Sequence, residues 1–132
     1  MEERKYLVRF TLDLEADGFV VTAADPDAAA EIVRQDLLKN SSTPDDPESI
    51  DLVICDIDEV QDGAKVYRVG VDFIDSGKRG PEYVGMRGRN FDVLMAANAD
   101  DAEQKLSLAM HAEGWTPCAE TFEVEEIMVL NA

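Results

Sequence analysis

One histidine, His111, and two cysteines, Cys55 and Cys118, are scattered through 132 residues. Neither cysteine sits in a metal or redox spacing, which excludes the usual zinc sites and leaves His-based catalysis little to work with. No apolar run approaches the roughly 18 residues of a membrane span, and Met1-Glu2-Glu3-Arg4-Lys5-Tyr6 lacks the apolar stretch of a signal peptide. A cytoplasmic chain without membrane contact is expected. Positive charge is scarce too: 12 Lys+Arg face 29 Asp+Glu, for a net charge of -17 and a pI near 4.1. Such a surface repels phosphate and anionic lipid, so direct binding to nucleic acid is not expected. Hydrophobic residues still make up 45%, too many for intrinsic disorder, and the length suits one domain with one core, spanning 1–132.

The chain repeats itself, and a repeat constrains architecture before any local reading does. Tyr6, Val8, Phe10 and Leu12 alternate along one strand face, and Tyr67, Val69, Val71 and Phe73 repeat the pattern. Val20-Val21-Thr22-Ala23-Ala24-Asp25 aligns with Val93-Leu94-Met95-Ala96-Ala97-Asn98, ending in Asp25 and Asn98 as helix N-caps. Behind the caps, Ala29, Val33 and Leu37 recur at helical spacing, as do Ala102, Leu106 and Met110. Pro26 suits a first helical position and Gly114 a helix end. Closing strands are expected over residues 51–60 and 121–129. Asp62-Gly63 is a hairpin signal that would pair the third and fourth strands antiparallel. The expected fold is α+β: two tandem strand-strand-helix-strand repeats, 4–60 and 65–130, in a two-layer sandwich. One mixed sheet would carry both helices on one face. A basic, glycine-rich hairpin insertion, 76–90, breaks the second repeat.

Two constellations stand out. In the closing strands Asp56 and Asp58 alternate with Cys55 and Ile57, read as inward, and Glu123 and Glu125 alternate with Phe122 and Val124. Carboxylates at every second strand position lie about 6.6 Å apart, roughly twice the 3.4 Å rise per phosphate on one strand of B-DNA. The row could imitate a phosphate backbone; the plainer reading is a solvated sheet face. In the insertion, Lys78, Arg79, Arg87 and Arg89 against Glu82 alone give a local charge of +3, leaving -20 on the rest. It would serve as a contact arm for a partner, as a homodimer contact onto another protomer's acids, or as a loop paired with its own domain.

The remaining groups are weaker. Asp45, Asp46, Glu48 and Asp51 lack the regular spacing and central glycine of an EF-hand, and read as a solvated loop. His111 has no nucleophile beside it, and Cys118 after Pro117 reads as an inert thiol. Trp115 is expected to close over a helix end onto the core. No catalytic set, cofactor site or metal site can be assembled, so a non-enzymatic protein is expected.

Charge and size resemble those of small phage or mobile-element inhibitors of restriction or CRISPR systems. Charge, size and the lack of a catalytic set point to an acidic inhibitor that mimics nucleic-acid charge and blocks a basic nucleic-acid-binding protein. Its contact residues would be Asp56, Asp58, Glu123 and Glu125, with Lys78, Arg79, Arg87 and Arg89 as a second contact region. The alternative is an acidic protein-protein interaction or assembly module without mimicry.

Overall fold

The computed structural model describes residues 3–13, 15–39 and 52–131. The chain is α+β, with two helices and antiparallel strand ladders, and divides into two compact units.

In the first unit, β1 (Arg4–Leu12) and β2 (Glu15–Ala23) form a hairpin in which Tyr6 faces Val21 and Val8 faces Phe19. Strand alternation puts Tyr6, Val8 and Phe10 on one face, buried with Val21 and Ala23. Helix α1 (Pro26–Lys39) covers that face with Ala29 and Val33. It starts where the sequence puts it, since Asp25 Oδ1 accepts the Ala28 N–H at 2.7 Å. β3 (Leu52–Glu59) then lies antiparallel on the other side of β1, giving the order β2-β1-β3.

Residues 127–131 belong to this unit as well. Val129 makes a parallel bridge to Val20, and the Leu130 N–H donates to the Val20 carbonyl at 2.7 Å. The Asn131 side-chain amide accepts from the Thr22 N–H at 2.8 Å and donates to the Thr22 carbonyl at 2.9 Å. An amide side chain thereby satisfies backbone groups that a sheet edge leaves unpaired.

In the second unit, β4 (Lys65–Asp75) is the central strand, flanked by β5 (Arg87–Ala96) on one side. Its other side takes β6 (Trp115–Pro117) and β7 (Glu123–Glu126), both antiparallel. Tyr67, Val69 and Val71 pack under helix α2 (Ala99–Ala112) through Ala102, Leu106 and Met110. Asn98 caps α2 by accepting the Asp101 N–H, and Asp101 returns a bond from the Ala97 N–H, so two otherwise unpaired donors are satisfied. Gly114, at φ +82°, turns the chain out of α2.

Four expectations are corrected. The strands form two ladders, not one mixed sheet, and the buried apolar residues form two clusters, not one core. The Asp62-Gly63 turn forms, with Gly63 at φ +82°, but β3 pairs with β1 while β4 pairs with β5, β6 and β7. A turn signal sets local direction and not the ladder partner. The 76–90 insertion is shorter than expected, because Arg87 to Asn90 are ladder partners of Ile74 to Val71. Gly88, read as a loop glycine, instead makes room for the Phe73 ring, which would meet a Cβ there at 2.8 Å. Finally, the 121–129 strand ends at Glu126, since the following residues join the first unit.

Candidate partner-binding site

The first acidic row depends on a register shift. Arg9 faces Asp56, but the next residue, Phe10, faces Ile54, so Cys55 is an extra residue bulged out of β3. Cys55 is exposed, with Sγ 3.4 Å from Thr11 Oγ1, and the inward position assigned to it is corrected. Beyond the bulge Ile54 packs on the core, while Asp56 and Asp58 stay on the opposite face. There the Arg9 guanidinium sits between them, Nη1 lying 2.9 Å from Asp56 Oδ1 and 2.8 Å from Asp58 Oδ2. One cation shared by two carboxylates leaves a residual negative charge, and both side chains remain half exposed.

The second row lies in the second unit, on the face of β4 turned away from α2. Arg68 faces Glu125 and Gly70 faces Glu123 across the β4–β7 ladder. Arg68 Nη1 lies 3.3 Å from Glu125 Oε2. Arg89, on the opposite neighbour β5, binds Asp72 at 3.0 Å with Nη1 and Glu123 at 3.2 Å with Nη2. It crosses a whole strand because Gly70 has no side chain: a Cβ there would lie 2.7 Å from Arg89 Nη2. Beside this crossing is a groove of about 270 Å³ whose lining includes Arg68, Gly70, Arg89, Phe91, Glu123 and Glu125. The glutamates stand out from it, 81% and 71% exposed, while the Arg68 side chain is only 24% exposed.

The basic segment between β4 and β5 is folded onto its own unit. Asp75, buried at the end of β4, accepts the Gly77 N–H and holds Arg79 Nη2, both at 2.8 Å. The Arg79 guanidinium lies over the Tyr83 ring at 4.5 Å and near Trp115 at 5.6 Å. The hydrogen bond from Arg79, then that from Gly77, holds the Asp75 carboxyl below its ordinary value against the opposing effect of burial. The Trp115 indole N–H is close enough to add to this, though it is buried without a well-aligned hydrogen bond. Lys78 donates from Nζ to the Ala112 carbonyl at the end of α2, where the helix dipole favours a cation. Ser76 bonds the Gly114 carbonyl through both its N–H and its hydroxyl.

The structure thus brings Glu123, Glu125 and Arg89 together in one site and places Asp56 and Asp58 in the other unit. Lys78 and Arg79 are spent on internal contacts, and Arg87 is exposed without an ion pair among the described residues. Arg9, Arg68, Gly70 and Phe91 were not singled out in the sequence. The legible signal for the arginines was their outward position on strands that neighbour outward acids. His111 is exposed, Cys118 is half-buried, and Trp115 stacks on Phe73 at 4.7 Å, over the core as expected. The group Asp45, Asp46, Glu48 and Asp51 lies outside the described residues. Among the described residues no helix is long and apolar enough to cross a membrane. Comparison with protein-family models, with curated proteins and with solved structures gave no match.

Proposed function

We propose that this chain is a non-enzymatic acidic binding protein that occupies the basic surface of a nucleic-acid-handling protein in place of nucleic acid. Inhibition of a restriction or CRISPR-type effector by a phage or mobile-element protein is the form that size and charge suggest. One observation carries the reading: the cations of a chain with 29 acids and 12 bases are mostly engaged with its own groups. Arg9, Arg68 and Arg89 lie along the sheets against their acids, and Lys78 and Arg79 are held by the Ala112 carbonyl and Asp75, which supports a partner-facing charge that is negative. The strand-strand-helix-strand order of the first unit recurs in the second, where the short β6 is added before β7, and this supports a duplicated unit that offers two such faces.

The mechanism is long-range steering followed by displacement of phosphate from the partner's Lys and Arg side chains. Association is then fast at low salt and weakens steeply as the screening length falls from about 10 Å at 0.1 M to about 3 Å at 1 M. Capture on the immobilised protein at low and high salt tests this. The expected catch is a basic nucleic-acid-binding protein that leaves at high salt; a salt-insensitive catch speaks against the reading.

A second reading, an interaction or assembly module without mimicry, has its own support. β3 and β7, which carry the rows, are flanking strands of their sheets, and charges on such strands discourage unwanted strand pairing. On that reading Arg9, Arg68 and Arg89 compensate the acids for the sake of the fold alone.

A further inference from the structure

We infer that the groove beside Gly70 receives an arginine side chain from an extended basic segment of the protein partner; this rests on the function proposed above and assigns it a contact point. Three features converge on that occupant. Phe91 is a large aromatic side chain left 42% exposed at the groove, a flat surface on which a guanidinium can lie. Glu123 and Glu125 rise at the groove, each holding its arginine through a single oxygen, Oε2. A carboxylate accepts up to about four hydrogen bonds, so the Oε1 atoms can accept from the five donors of an incoming guanidinium.

Charge gives the occupant its sign. Asp72, Glu123 and Glu125 outnumber Arg68 and Arg89, so the site keeps a residual negative charge while its two cations are already held. An anionic ligand would have to break those pairs and face a chain of net charge -17. An arginine has only to add to them. Gly70 is what makes the site possible, because a side chain there would displace Arg89 and fill the groove from below.

The test uses the full-length protein labelled for NMR and a nona-arginine peptide at physiological salt, with inorganic phosphate as a second probe. The peptide is expected to shift the resonances of Gly70, Phe91, Glu123 and Glu125 first. Phe91→Leu keeps the apolar volume and the net charge but removes the ring, and is expected to weaken binding by about two- to fivefold. The control Leu108→Ala, an exposed apolar truncation on α2 that likewise leaves the net charge unchanged, is expected to change it less than Phe91→Leu does. Peptide binding that is equal in wild type and Phe91→Leu, with shifts spread over the whole surface, overturns the groove while leaving the acidic-binding function standing. A groove that responds to phosphate and not to the peptide overturns it as well. Absence of any peptide binding overturns both the groove and the function on which it rests.

Discussion

Arg89 and Glu123 meet across an intervening strand, Nη2 to Oε2 at 3.2 Å, because residue 70 is glycine. Arg89 stands on β5 and Glu123 on β7, with β4 between them. Gly70→Ala is expected to push the guanidinium aside, break the contact to Glu123 and leave the contact to Asp72. Because exposed ion pairs contribute about 0–1 kcal/mol, stability should change by no more than about 1 kcal/mol. Arginine side-chain NMR on the variant checks the displacement, and an Arg89–Glu123 contact that persists contradicts this role for Gly70.

The two apolar clusters predict where truncation is costly. Leu106, on the buried face of α2, is 2% exposed, and Leu106→Ala should destabilise by about 2–5 kcal/mol. Val33, fully buried on the inner face of α1, loses two methyl groups in Val33→Ala, worth roughly 1.6 kcal/mol in transfer before any cavity cost. Urea unfolding monitored by circular dichroism measures both. Leu108, on the same helix but 72% exposed, serves as the control whose truncation should be near neutral.

Asp75 makes the segment after β4 sensitive to acid and not to base. Its carboxyl titrates below the ordinary value of 3.8 in the folded chain, held there chiefly by Arg79 and the Gly77 N–H. Its stabilising contribution is therefore complete above that value and is lost as pH falls through the lower, folded value. Asp75→Asn should speed hydrogen exchange at Gly77 at pH 7, and the difference from wild type should shrink toward strongly acidic pH. A difference that grows on acidification contradicts the assignment.

Much of the fold can be read from residue spacing. The alternation of Tyr6, Val8 and Phe10, and of Tyr67, Val69 and Val71, marks core faces, and Asp25 and Asn98 mark helix starts, because these are local consequences of backbone geometry. Ladder partners are less legible. Asp62-Gly63 announces a turn without saying that β3 will find β1, and nothing around Glu126 announces that the chain leaves β7 there. The bulge at Cys55 was invisible for a related reason, since one added residue reverses alternation only when the partner strand is known. At the candidate site the acids and Arg89 were legible and Arg9 and Arg68 were not: their ion pairs join residues 47 to 57 positions apart.

The acidic rows allow a separation of charge from fold. Converting Asp56 and Asp58 to Asn, and Glu123 and Glu125 to Gln, should leave the fold intact while freeing Arg9 and Arg68 from their ion pairs with these acids. Partner affinity and its salt dependence should both fall sharply. Reversing the charge of Lys78 and Arg79 should act instead through the loop, since both hold it to its own unit. Thermal melts separate the outcomes, because the loop variants should lose stability and the row variants should not.

Competition with nucleic acid is the most direct test of charge mimicry. The captured partner is held on the immobilised protein, and a short duplex is added at constant ionic strength. Displacement of the partner by duplex, with no complex containing all three, is the predicted result. A stable ternary complex of protein, partner and duplex would show that the acidic faces do not occupy the nucleic-acid site, and would contradict the proposed function.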